Sequence, residues 1–67
     1  MKTNVDIGQK IKSERRKLGL TQKELGLRFG VDKSTIARYE KGTRRPPDTF
    51  KSDFAQFVGQ SVENIFY

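Results

Sequence analysis

At 67 residues and a formal charge of +6, the chain has room for one domain with a small core, because chains this short bury only about 60% of their unfolded surface. It contains neither cysteine nor histidine, so disulfides, thiolate or imidazole zinc sites and histidine-based catalysis have no residues to build them. No apolar run approaches the ~20 residues of a membrane span and none follows Met1 as a signal-peptide core; the expectation is a cytoplasmic protein with no membrane partner, no metal and no cofactor.

The charge is unevenly placed. All 14 basic residues lie between Lys2 and Lys51, where six acids accompany them to leave +8, while Asp53 and Glu63 make the remainder −2. A basic front segment and an aromatic, mildly acidic tail predict a polyanion partner for the first and packing or association for the second. Charge alone equally describes a solvated lysine-rich surface.

In chain order, NVDIGQKIKSERRKLG places Ile7, Ile11 and Leu18 at helical spacing, with Lys12 and Arg15 between them and Gly19 as the stop. Thr21-Gln22-Lys23-Glu24 is a capping box that opens a second helix. Leu25 and Phe29 form its apolar stripe, and Gly30 ends it. Asp32 is expected to cap a third helix over about Lys33–Lys41, with Ile36 and Tyr39 facing in and Gly42 closing it. TRRPPD reads as a loop, since Pro47 bars helical geometry at Pro46. A fourth helix, roughly Asp48–Val58, carries Phe50, Phe54, Phe57 and Val58 on one side. Ser61 caps a last short turn whose Val62, Ile65 and Phe66 return to the core. Nothing alternates with period two, so the prediction is an all-α fold of five short helices in one domain, 1–67, without internal repeats.

Helices two and three, over about residues 21–42, meet across a turn at Gly30 and form a helix-turn-helix. Leu25, Phe29, Val31, Ile36 and Tyr39 are its apolar positions, and Gly26 falls where the two helices must pass closely. The outward residues of helix three are then Lys33, Ser34, Thr35, Arg38 and Lys41. Those side chains suit base edges: arginine forks onto guanine O6 and N7, lysine reaches the same acceptors, and a hydroxyl serves either base. No nucleophile–base arrangement or phosphate-cradling loop is present, so an enzyme is not expected.

The segments IGQKIKSERRKLGLTQKEL, GVDKSTIARYEKGTRRP and FVGQSVENIF, nearly the whole chain, resemble the Cro/repressor-type (xenobiotic-response-element) helix-turn-helix family of phage and bacterial transcriptional regulators. The resemblance implies a five-helix lambda-repressor-like domain. It implies a DNA-binding repressor, bacterial or phage-encoded, with helix three in the major groove of a palindromic operator. It assigns base readout to Lys33, Ser34, Thr35 and Arg38. Phosphate contacts fall to Gln22 at the start of helix two, to Arg44 and Arg45 after helix three, and more weakly to Lys23 and Lys41. It also implies a partly buried, structural ion pair between Arg15 and Glu40, and a homodimer on DNA that is weak or monomeric alone. Two other functions share this fold: non-specific nucleic-acid binding, and an antitoxin- or coactivator-like protein-interaction module.

The chain departs from the family pattern in helix four, where Asp48, Lys51 and Ser52 replace aliphatic residues; the helix is expected to start later or to roll. Ile65–Tyr67 and the Phe54–Phe57–Val58 face are nominated as the subunit contact. The apolar end has three destinations, the core of this domain, a second subunit, or a further domain beyond it.

Overall fold

The computed structural model describes residues 2–67. Over them the chain forms five helices and no strand: α1 (Asn4–Lys17), α2 (Gln22–Phe29), α3 (Lys33–Lys41), α4 (Asp48–Val58) and α5 (Val62–Phe66). Two helix starts carry reciprocal capping boxes. Thr3 and Asp6 cap α1, and Thr21 and Glu24 cap α2, with bonds of 3.0 and 2.9 Å. Asp32 holds the N-cap position of α3, but its carboxylate makes no capping bond. The Thr35 N–H that such a cap would serve donates instead to the Asp32 carbonyl at 3.1 Å, and the carboxylate accepts the Ser34 hydroxyl at 3.5 Å.

The core is built from one or more residues of every helix: Ile7 and Ile11, Leu25, Ile36 and Tyr39, Phe50, Phe54 and Ala55, Ile65 and Phe66. Phenylalanines of α4 do most of the filling. Phe50 and Phe54 stack with centroids 5.5 Å apart, Tyr39 meets Phe50 at 4.9 Å, and Phe29 sets its edge against Phe57 at 5.4 Å. Such tilted and offset pairs add about 0.5–1.5 kcal/mol each beyond area burial. Leu18, read as part of the α1 stripe, is exposed. It occupies the C-cap, where the helix ends before its side chain can turn inward, and Leu20 packs on the core in its place.

Two glycines with little space around them, Gly26 within the helix-turn-helix and Gly8 in α1, allow its close packing. A Cβ on Gly26 would sit 2.5 Å from the Val31 carbonyl oxygen, and one on Gly8 would overlap the carbonyls of Tyr39 and Glu40. Gly8 therefore lets α1 lie directly against the end of α3.

α4 starts at Asp48 after all. Asp48 and Ser52 are exposed, whereas Lys51 faces inward. At about 100° per residue, Lys51 lies in the arc between Val58 and Ala55, so only its long stem allows a polar residue there. Ile65 and Phe66 pack into the core of their own domain. With Phe54 also buried, these three are withdrawn from the nominated subunit contact.

Candidate nucleic-acid interface

The arc of α3 divides cleanly. Thr35, Ile36, Tyr39 and Glu40 are buried, while Lys33, Ser34, Arg38 and Lys41 are exposed on the opposite side. The half-buried Ala37 lies between Lys33 and Lys41 on that outer side, so its small methyl group leaves the helix backbone free to approach a surface closely. Thr35 corrects the reading of this helix: it is 9% exposed, because its position falls in the same arc as Tyr39 and Ile36. It packs inward and does not face out with Lys33, Ser34 and Arg38. Among the described residues, the Arg38 guanidinium and the Lys33 ammonium hold no acceptor of their own.

The inner side of α3 is tied down by charge. Glu40 accepts Arg15 Nε at 2.7 Å and Nη2 at 3.1 Å, a bidentate pair with side chains 10% and 3% exposed. Arg15 Nη1 donates to the Leu20 carbonyl at 2.8 Å, and Gln22 Nε2 donates to Glu40 Oε1 at 3.1 Å. One carboxylate thus joins α1, the α1–α2 turn, the first turn of α2 and the last turn of α3. The family resemblance implied the Arg15–Glu40 pair and gave Gln22 a part in steadying helix three, without naming Glu40 as its acceptor. With one amide hydrogen on Glu40, the Gln22 amide keeps a second N–H to offer outward. Lys23 is exposed beside it, at the positive end of the α2 dipole.

Beyond α3, Gly42 turns the chain with φ 80°. The N–H groups of Thr43 and Arg44 fold back onto the Arg38 carbonyl at 3.1 and 3.4 Å. That brings exposed Arg44 and Arg45 to the end of the same helix whose outer side carries Lys33 and Arg38. The outer side of α3, the start of α2 and the loop after α3 thus each expose cationic or N–H donor groups. No group of three or more acidic residues that would hold a metal ion occurs among the described residues. No helix of the structure is long and apolar enough to cross a membrane.

A second cluster on α1 is purely structural. The Glu14 carboxylate takes Gln60 Nε2 at 2.8 Å and Lys17 Nζ at 3.0 Å, with Lys10 at 3.5 Å. Burial works against its charged form, but hydrogen bonds from Lys17 and Gln60 and the charges of Lys17 and Lys10 outweigh that and hold the group below its ordinary 4.5. Backbone and hydroxyl bonds from Thr21 lower Glu24 in the same way, and those from Thr3 lower Asp6. Carboxylates depressed in the folded state contribute stability that is full above their unfolded values and lost as pH falls through the folded ones. The urea midpoint is therefore expected to hold steady above about pH 5 and to drop below about pH 4.5. Glu14→Gln should flatten that acid limb. An unchanged limb in the variant would remove Glu14 from the account.

These elements define a helix-turn-helix domain. The helix-turn-helix family model matches residues 11–62, and the chain belongs to this family, of the Cro/repressor type. It is similar to a protein of Methanothermobacter thermautotrophicus named an uncharacterized HTH-type transcriptional regulator, 40% identical over 57 residues that cover 84% of this chain and 83% of that one. A regulator of the same description in Archaeoglobus fulgidus is 37% identical over 57 residues, covering 85% and 80%. One in Sinorhizobium medicae is 30% identical over 63 residues, 94% of this chain but 45% of that protein, so the chain spans less than half of that longer relative. No solved structure matches at comparable significance.

Proposed function

We propose that the protein binds double-stranded DNA with sequence preference and regulates transcription, most simply as a repressor that occupies an operator. The observation carrying this reading is the division of α3: Ile36, Tyr39 and the Arg15–Glu40–Gln22 cluster lock one side, and Lys33, Ser34 and Arg38 stand exposed on the other. In a major groove, Arg38 and Lys33 face purine acceptors, Ser34 serves either base, and Ala37 meets thymine methyl groups. Gln22, Lys23, Lys41, Arg44 and Arg45 act on phosphates, which sets register without reading sequence. Family membership and the names of the relatives support the same reading.

One α3 spans only a few base pairs, and a genome offers about 10⁶–10⁹ competing sites. Two domains on a two-fold axis double the readout, with half-sites centred ~34–36 Å apart. The exposed remainder of the nominated contact is Tyr67 with half-buried Phe57 and Val58. That area is small, so the free protein is monomeric or weakly dimeric and DNA promotes pairing. Selection from a random duplex pool is expected to return an inverted repeat, and sedimentation to show two subunits on it. A single subunit saturating the site, with no gain from a second half-site, would sink the symmetric arrangement. A pool with no enriched motif would sink specific readout and favour a non-specific binder or a protein-interaction module.

A further inference from the structure

Glu14, Arg15 and Glu40 are each buried against an opposite charge at 3.0 Å or less. Lys51 is buried more deeply, at 2% exposure, and is not. The carboxylate within 4 Å of its ammonium is Asp48 at 3.9 Å, a side chain 96% exposed. The Tyr67 phenol oxygen stands at 3.5 Å, the outer limit of a hydrogen bond. The rings of Phe66 and Tyr67 flank it at 5.9 and 5.1 Å, which favours a cation but accepts none of its three N–H donors well. Lys51 lines a pocket of about 380 Å³, and Lys2 and Arg45 line it too, with no aspartate or glutamate among the lining residues. Lys2 is held at this place by a hydrogen bond to the Asn64 carbonyl. Three cationic residues, from the segment before α1, the α3–α4 loop and the interior of α4, therefore line one cavity beside the positive end of the α1 dipole. Mutual repulsion and the desolvation of Lys51 both oppose this arrangement unless an anion sits among them.

We propose that this pocket binds a phosphate group, whose negative charge and acceptor oxygens match three separate cationic donors. Two sources share that chemistry, a free phosphate or phosphomonoester and a DNA backbone phosphate; only the second rests on the DNA-binding reading.

The test is Lys51→Met, which keeps the stem and removes the charge. In buffer of matched ionic strength without phosphate, the variant is expected to melt at or above the wild-type temperature, because an apolar replacement relieves a buried cation that its distant Asp48 and Tyr67 partners compensate only weakly. Inorganic phosphate at ten times its Kd should raise the wild-type Tm by roughly 5–10 °C. The variant should keep only the small general rise that excluded salts give any protein. That result assigns a free phosphate. If the wild type shows no such rise but Lys51→Met reduces the salt slope of duplex binding by about one, the ligand is a backbone phosphate. Equal phosphate responses together with equal salt slopes overturn the proposal. So does a variant that melts several degrees lower without phosphate, since Lys51 would then be a tie between aromatic rings and nothing more. A protein that binds no duplex leaves the inorganic-phosphate comparison intact.

Discussion

Glu40→Ala is expected to lower the unfolding free energy by about 3–5 kcal/mol, the penalty for stranding a buried charge. The substitution leaves the Arg15 guanidinium with the Leu20 carbonyl alone and takes away the Gln22 acceptor. A domain of this length has only about 3–10 kcal/mol in total, so the variant should be partly unfolded at room temperature. Arg15→Met should cost a similar amount, because the Glu40 carboxylate would then keep only the Gln22 amide. The double substitution should cost clearly less than the sum, since neither charge is left without its partner. Urea denaturation of the four proteins closes the cycle. Coupling of at least ~0.5 kcal/mol is expected, and additivity within error would return both residues to a minor role. Because the same carboxylate anchors Gln22 and α3, a milder variant that stays folded, Gln22→Ala, should weaken DNA binding without changing which sites are preferred.

Arg38→Ala acts on recognition, not on folding. The side chain is exposed and holds no intramolecular acceptor among the described residues, so stability should move by less than about 0.5 kcal/mol. Binding to the best selected duplex should weaken by about 1–3 kcal/mol, and preference should flatten at one position in each half-site. Arg45→Ala provides the contrast. A phosphate contact carries no sequence information, so good and poor sites should weaken alike and the salt slope should fall by about one. An Arg38→Ala protein that ranks duplexes as the wild type does would remove α3 from base readout while leaving the fold and the Arg45 result untouched.

The helices themselves were legible in the residues. Thr21 with Glu24, the closing glycines and the Pro46-Pro47 pair mark local backbone choices, which depend on neighbours a few positions away. The five elements accordingly lie where the pattern put them. The Arg15–Glu40 pairing was visible only through the family resemblance, since nothing in their spacing joins residues 25 positions apart. What the tertiary structure decided is which way borderline side chains turn. Thr35 sits one position from Ser34, and only the packing of α3 on α1 and α2 sends one inward and the other out. Gly8 became necessary because α1 crosses the carbonyls of Tyr39 and Glu40. Ile65 and Phe66 could have met a second subunit by pattern alone; the cavity left under α1 and α4 claims them for the core. Lys51 is the extreme case, a charged residue on an apolar arc, which comes to line one pocket with Lys2 and Arg45 only after three distant segments have folded together. Local backbone chemistry determines the helices, whereas burial and charge neighbourhoods arise from contacts between residues far apart in the chain.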